Sequence, residues 1–239
     1  MTALTGTEHS IYRKDGKLYL YKVGAGEPVL FIHGVRSSGW TWRKSLGALS
    51  RQFSCYAVDM PGYDRSDIPP SQYSMEDFAD AMLDVLDAAG LERVHIVGEH
   101  TGAILAVLLA GEHPDRVNKL VLDGLPYWSL EQGKMIWEKF FQPLYTDVTS
   151  YHLPVFPLLT WEEAKATGTG IRLTVAGRLI QEATEEHREI WEKQEQIHRR
   201  SRLWERYTHE STTKCDIRTA GSRVSKPTLL LYGDRDSVR

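Results

Sequence analysis

The feature that most constrains the fold of this chain is Gly98-Glu99-His100-Thr101-Gly102, which directly follows the apolar run at residues 94–97. This glycine spacing is that of a nucleophile elbow, G-x-S-x-G, in which a strand turns sharply into a helix and exposes the central side chain above the sheet. The glycines are needed because the turn brings the backbone close to its neighbours. His100 stands where serine is usual, so the frame predicts the fold and leaves the chemistry open.

Strand and helix patterns alternate along the first half of the chain. This alternation predicts an α/β fold with a doubly wound, mostly parallel sheet. Ser74, with Asp77 three residues later and Gly90 at the far end, predicts a capped helix over 74–89. The predicted strands are residues 10–13 and 18–21 (a hairpin), 28–32, 53–58, 94–97 and 119–122, and the other predicted helices are residues 40–49 and 101–111.

The pattern changes after Asp123. Residues 127–224 contain aromatic-rich helical stretches and no convincing strand, with a capping-box pattern at residues 160–163 and a long charged helix at about 185–208. Residues 227–232 then return to the apolar pattern of a buried strand. We therefore predict a core in residues 1–126, an inserted helical cap in residues 127–224, and a core strand with an acidic loop in residues 225–239.

Composition excludes several functions. The net charge of −3 does not favour nucleic acid or an anionic membrane surface as a partner, and the two cysteines are too few for a disulfide framework. The N-terminus has no signal-peptide pattern, and no apolar stretch is long enough to span a bilayer. We expect a cytoplasmic protein that acts on a small molecule without a cofactor. The sequence does not predict its oligomeric state.

Four motifs follow four predicted strands, in an order that resembles the cap-bearing branch of the α/β-hydrolase superfamily. That branch includes epoxide hydrolases, haloalkane dehalogenases, carbon–carbon bond hydrolases and related esterases. The motifs are His33-Gly34, residues 59–67 (DMPGYDRSD), the elbow at residues 98–102, and residues 233–236 (GDRD). Together they are specific for the fold and much less specific for any one reaction.

The resemblance implies roles for individual residues. His100 occupies the position of the nucleophile, and the backbone N–H groups of Val35 and Thr101 would form the oxyanion hole. Asp236 occupies the usual position of the catalytic acid. Asp123, at the end of the preceding core strand, is the alternative acid position used by some relatives.

Four further side chains are candidates for contact with a substrate: His33, Arg36, Trp128 and Trp137. A competing interpretation is that His33 orders the oxyanion loop, which is the segment after residue 32 that contains His33 and Val35. Packing within the cap is the competing role for the tryptophans.

The chain departs from the family pattern at three places. The first is His100, and the second is Asp64, where relatives usually have glycine and where a carboxylate would lie near the rim of the pocket. The third is the end at Arg239, before the final strand, the final helix and the catalytic histidine of the family. Without a following strand, residues 227–232 would form an exposed apolar edge. We expect either a truncated reading frame or a natural short form that a partner strand stabilises.

The chemistry of His100 is open to three interpretations. Neutral imidazole has a free lone pair at neutral pH, so His100 could attack an ester or lactone directly as a nucleophile. It could instead be a general base, either in hydrolysis or in a lyase or cofactor-free oxygenase. The third interpretation is a catalytically dead pocket that only binds ligands. The spacing of His33, Glu99, His100 and Asp236 matches no metal-ligand motif, so no metal site is predicted.

Overall fold

A computed structural model of the chain describes residues 5–142 and 185–232. Within these residues, seven strands form one sheet in the order β1-β2-β4-β3-β5-β6-β7. The strands are β1 (Thr7–Arg13), β2 (Gly16–Val23), β3 (Glu27–Ile32), β4 (Phe53–Asp59), β5 (Val94–Glu99), β6 (Val117–Asp123) and β7 (Thr228–Leu231). The predicted capping box at residues 160–163 and the motif at residues 233–236 lie outside the described residues.

The described helices flank the sheet and extend over one end of it. They are α1 (Arg43–Leu49), α2 (Met75–Ala88), α3 (Thr101–Glu112), α4 (Leu130–Ile136), α5 (Glu185–Lys214) and α6 (Ile217–Ser222). Short 3-10 turns at Gly39–Trp42 and Pro114–Arg116 precede α1 and β6, and a π-helical segment, Trp137–Phe141, continues α4. None of these helices combines the length and apolar character needed to cross a membrane.

The strand pairing confirms the predicted α/β sheet. β1 and β2 form an antiparallel hairpin, and β2 also pairs with β4 in antiparallel fashion. The other neighbours, from β4 through β3, β5 and β6 to β7, are all parallel. The carboxyl ends of β3, β5 and β6 therefore meet at one edge of the sheet, which is where ligand sites of open α/β sheets form.

The capping signal at Ser74 accounts for the start of α2, whereas the start of α1 differs from its prediction. The Ser74 hydroxyl accepts a hydrogen bond from the Asp77 N–H, and the Asp77 carboxylate accepts one from the Ser74 N–H, as the capping box predicts. The predicted helix at residues 40–49 begins as a 3-10 turn and becomes α-helical only at Arg43.

Helix α5 extends six residues beyond its predicted end at residue 208. Its last turns are rich in threonine, which has a low helix propensity. The Thr208, Thr212 and Thr213 hydroxyls, however, donate to backbone carbonyl oxygens of the preceding turn, and all three side chains are buried. Burial of this face against the rest of the protein therefore overrides local propensity.

The core lies on both faces of the sheet. Helix α3 is buried along almost its whole length, as its uniformly apolar sequence predicts. Helix α6 packs against α3 near Gly111, where an added Cβ would lie 3.1 Å from the Ala220 carbonyl oxygen. Residues 217–222 thus contact the core although they fall within the predicted cap. The division into 1–126, 127–224 and 225–239 remains a prediction.

Helix α5 packs against the loop after β4. The Trp204 indole N–H donates to the Pro61 carbonyl at 2.7 Å, and the Ser201 hydroxyl donates to the Gly62 carbonyl at 2.7 Å. Gly62 has a φ of +87°, and an added Cβ there would lie 2.0 Å from the Trp204 ring. This loop holds the long helix over the carboxyl ends of the strands.

Strand β7 differs in burial from its sequence pattern. Its apolar run predicts a strand buried on both faces, but Leu229, Leu230 and Leu231 are 54%, 54% and 43% exposed. Within the described part of the chain, β7 pairs only with β6 and is therefore an edge strand. Position in the sheet, which the pattern does not encode, decides its exposure.

Candidate active site

The elbow has the strained geometry that its sequence requires. Strand β5 ends at Glu99, α3 begins at Thr101, and His100 alone makes the turn with φ +47° and ψ −108°. A positive φ is unfavourable for a residue with a Cβ and persists only where the surroundings impose it. The backbone therefore presents residue 100 as the family motif presents its nucleophile.

Gly98 and Gly102 make this turn possible. An added Cβ on Gly98 would lie 2.3 Å from the Gly102 carbonyl oxygen, and one on Gly102 would lie 2.1 Å from the Ile32 carbonyl oxygen. Both contacts are with backbone, which cannot move aside as a flexible side chain can. Larger residues at these two positions would push α3 away from β5 or β3.

His100 lies between two neighbouring strand ends. A Cβ placed on Gly34, in the loop after β3, would be 3.3 Å from the Cβ of His100. On the other side, the His100 N–H donates to the Asp123 carbonyl at the end of β6, over 2.9 Å. The half-buried His100 side chain thus starts at the corner where the loop after β3 meets the elbow.

The two residues whose N–H groups are predicted to form the oxyanion hole lie next to the elbow turn and to Gly34. Thr101 is the first residue of α3, and the N–H groups of the first turn of a helix have no acceptor within the helix. Val35 directly follows Gly34, which lies against His100. The positive end of the α3 dipole adds to the attraction for developing negative charge.

His33 is fully buried beneath the oxyanion loop. Its Nε2 accepts a hydrogen bond from the Met60 N–H at 2.9 Å, so its Nδ1 carries the proton that bonds the Gly34 carbonyl at 2.7 Å. Burial lowers the pKa of this imidazole to about 4 and keeps it neutral. Both ring nitrogens are used within the protein, so this geometry assigns His33 to ordering the loop and not to contacting a substrate.

Glu99 is a residue of the candidate site for which sequence reasoning predicted no catalytic role. Its Oε2 accepts a hydrogen bond from the Gly34 N–H at 3.1 Å, which ties the oxyanion loop to the elbow. Burial raises the pKa of this carboxyl, while the neighbouring His100 acts in the opposite direction. The only sequence signal for this role is its place beside the central residue of the elbow.

The two candidate acids differ in what the structure shows. Asp236 lies outside the described residues. Asp123 is the last residue of β6, pairs in register with Glu99, and accepts the His100 N–H through its carbonyl. Its side chain is exposed at the same strand edge as the elbow.

Arg36 and Trp128 contact α5, and Trp137 lies in the segment that continues α4. Arg36 has a φ of +62° and its guanidinium donates to Glu195 of α5 at 3.1 Å. Trp128 is buried and its indole N–H donates to the Thr212 carbonyl at 3.3 Å, which fits the packing role. Trp137 is half-buried and stacks on Phe141, with ring centroids 6.5 Å apart.

Phe141 in turn stacks on His209 of α5, with ring centroids 4.5 Å apart. Burial and the positive charge of Arg36 lower the pKa of His209 to about 3. The rings of Trp137, Phe141 and His209 therefore form one stack that joins the segment after α4 to α5.

A separate cavity of about 190 Å³ lies on the β2 side of β4, two strands away from β5 in the sheet. Asp59 lines it, is buried, and accepts hydrogen bonds from the N–H groups of Gly39 and Arg65. Burial, and secondarily the Asp64 carboxylate, raise the pKa of Asp59 to about 7. Asp64 itself forms an ion pair with Lys193 of α5 at 2.8 Å. The carboxylate that stands where relatives usually have glycine therefore attaches α5 to the loop after β4.

In the described residues, no group of three or more histidine, cysteine, aspartate or glutamate side chains is placed to hold a metal ion.

The class of protein follows from the parallel sheet, the elbow and the loop beside it. The family model described as "alpha/beta hydrolase fold" matches residues 27–238, and the chain belongs to that family. The structure superimposes on a hydrolase from Pseudomonas aeruginosa PA01 with a TM-score of 0.75 and 20% identity, covering 99% of this chain and 83% of that one. At this identity the likeness shows the fold alone.

Curated relatives are similar to this chain over about half of its length. A putative carbamate hydrolase, RutD, of Caulobacter segnis is 36% identical over 121 residues, which are 49% of this chain and 44% of the relative. Epoxide hydrolase 1 of Caenorhabditis elegans is 29% identical over 147 residues, 55% of this chain and 36% of the relative. The chain thus spans less than half the length of the curated relatives it matches.

Proposed function

We propose that the protein is a hydrolase of a small, largely apolar carbonyl compound, such as an ester or a lactone, and that His100 is its nucleophile. The observation that carries this proposal is the placement of His100 at φ +47° in the elbow, with its Cβ against Gly34 of the oxyanion loop. Family membership and the similarity to a relative named as a putative carbamate hydrolase support hydrolysis of a carbonyl compound.

The reaction would proceed in two steps. A lone pair of the neutral His100 ring forms a bond to the carbonyl carbon, and the carbonyl π electrons move to the oxygen, where the Val35 and Thr101 N–H groups stabilise the charge. Collapse of this intermediate expels the alkoxide, which takes up the proton lost from the other ring nitrogen. Water then hydrolyses the acyl-imidazole, releasing the acid and restoring His100.

Asp123 is the acid that the described geometry offers to His100, because it ends the strand beside β5. A nearby carboxylate stabilises the positive charge that the ring carries after attack. The stacked rings of Trp137, Phe141 and His209 between α5 and the segment after α4 support an apolar or aromatic acyl group as part of the substrate.

The proposal is tested by the variant His100→Gln with a panel of p-nitrophenyl esters. We expect kcat/KM to fall by about 100-fold or more, because the nucleophile is lost while the oxyanion amides remain. Steady-state hydrolysis by purified, folded protein is the measurement.

Exposed histidines also cleave activated esters slowly, so a matched control is needed. His9 is exposed on β1, far along the sheet order from the elbow, and His9→Gln should keep full activity. Equal rates for wild type, His100→Gln and His9→Gln would rule out a nucleophilic or basic role for His100. Saturable binding of an ester analogue without turnover would instead indicate a pocket that only binds.

A further inference from the structure

We infer that Glu195 is a positioning residue for the oxyanion hole: through Arg36 it fixes the Val35 N–H, so that the hole is complete only when α5 is docked. This inference rests on the proposed function, because Val35 matters to catalysis only if the elbow is an active site. The inference gives α5 a role in the reaction, which is to hold the Val35 N–H in place, in addition to covering a pocket.

The contact between the two groups is well defined. The Arg36 Nη2 donates to the Glu195 Oε1 at 3.1 Å, and the two side chains are 12% and 7% exposed. An ion pair shielded from water to this degree is screened little and holds its geometry more firmly than a surface pair. Burial raises the pKa of Glu195, while Arg36 and His198 act to keep it ionised.

The backbone of Arg36 makes this contact matter for Val35. Arg36 has a φ of +62°, which is unfavourable for a residue with a Cβ, and it is bonded directly to Val35. A strained residue of this kind relaxes when the contact that holds it is removed. Relaxation at residue 36 would rotate the peptide plane that joins Val35 to Arg36. Through the Cα of Val35 this rotation would displace the preceding plane, which carries the Val35 N–H, from its position near His100.

The other face of the same loop is already anchored by the core. Glu99 accepts the Gly34 N–H, and His33 bonds the Gly34 carbonyl and the Met60 N–H. The His33 bond holds the carbonyl end of the peptide plane that carries the Val35 N–H, whereas the Arg36–Glu195 pair holds the residue that follows Val35. The oxyanion amide therefore lies between one anchor in the core and one in the cap helix.

Lys193 offers a matched control on the same helix. Its ammonium pairs with Asp64 at 2.8 Å, and the two side chains are 18% and 10% exposed. This pair also attaches α5 to the core, but Asp64 lies in the loop after β4 and not in the oxyanion loop. Glu195→Met and Lys193→Met each leave one partly buried charge without its partner, so their structural costs should be similar.

The experiment measures two properties of both variants. The first is the position of the Val35 amide peak in ¹⁵N–¹H NMR spectra. The second is kcat and KM for the best p-nitrophenyl ester. For Glu195→Met we expect a shifted or broadened Val35 peak and a fall in kcat of about 10-fold or more, with KM changed less than about twofold. For Lys193→Met we expect an unmoved Val35 peak and unchanged kcat.

The two readouts separate the failure of this inference from the failure of the proposed function. If no ester is turned over, the Val35 peak alone decides whether Glu195 positions the loop. A Val35 peak that stays in place in folded Glu195→Met overturns the inference, as does an equal fall in kcat in both variants. If Glu195→Met does not fold, Arg36→Lys keeps the charge but loses the planar guanidinium, and its Val35 peak should move in the same way.

Discussion

Backbone strain in the described residues concentrates at the candidate site. Three residues other than glycine have positive φ there, and they are Arg36, Asp64 and His100. Each lies in a loop at the carboxyl ends of the strands, and Arg36 and Asp64 are each paired with a charged residue of α5. Strain of this kind is retained where the surroundings over-determine a conformation, which is common at functional sites.

The Asp59 carboxyl should titrate far above its ordinary range. Its pKa is raised from 3.8 to about 7, chiefly by burial and then by Asp64. As the pH rises, the unfolded chain therefore loses this proton at a lower pH than the folded protein does. Ionisation of Asp59 in the unfolded chain lowers the free energy of unfolding as the pH rises from about 4 to about 7. Carboxyl ¹³C NMR of the folded protein should give a midpoint near 7.

The variant Asp64→Asn tests the cause of this shift. Removing the neighbouring negative charge should lower the Asp59 midpoint, since the charged form of Asp59 is then less disfavoured. A wild-type midpoint near that of an ordinary aspartate would contradict the described burial of Asp59.

The strand–turn–helix unit of β5 and α3 depends on close backbone packing. Gly98→Ala would place a Cβ 2.3 Å from the Gly102 carbonyl, so we expect a loss of several kcal/mol in the free energy of unfolding, or no folding. Gly90 provides the comparison, because it has a φ of +66° and nothing within 4 Å of an added Cβ. Gly90→Ala should cost only about 1 kcal/mol.

Chemical denaturation of both variants measures this difference. If Gly98→Ala were no more destabilising than Gly90→Ala, the tight contact between the elbow and α3 would be wrong, and with it the placement of His100.

At the scale of the whole molecule, the sequence predicts those features of the fold that depend on residues close together in the chain. The alternation of apolar strands and capped helices gave the α/β sheet, and the glycine frame gave the elbow, because both depend on neighbouring residues. The apolar pattern of β7 by itself predicts a buried strand, whereas the exposure of Leu229, Leu230 and Leu231 agrees with the expected apolar edge, which depends on which strands lie beside it. The division into core and cap remains a prediction.

The site was predictable only in part for the same reason. The position of His100 can be predicted from the residues on either side of it. The side chains that hold the oxyanion loop, in contrast, come from segments far away in the sequence. Glu99 contacts Gly34 across 65 residues of sequence, and Arg36 contacts Glu195 across 159. Asp64 was expected at the rim of the pocket, and its ion pair with Lys193 joins two segments that no local pattern connects.

The most direct test of the account is to trap the covalent intermediate. The protein is mixed with a slowly deacylating aromatic p-nitrophenyl ester, quenched with cold denaturant at near-neutral pH to preserve the acyl-imidazole, digested and mapped by mass spectrometry. We predict one acyl group on His100 in the wild type and none at residue 100 in His100→Gln. Turnover with the acyl group on another residue, or with no acylated residue at all, would contradict a nucleophilic His100.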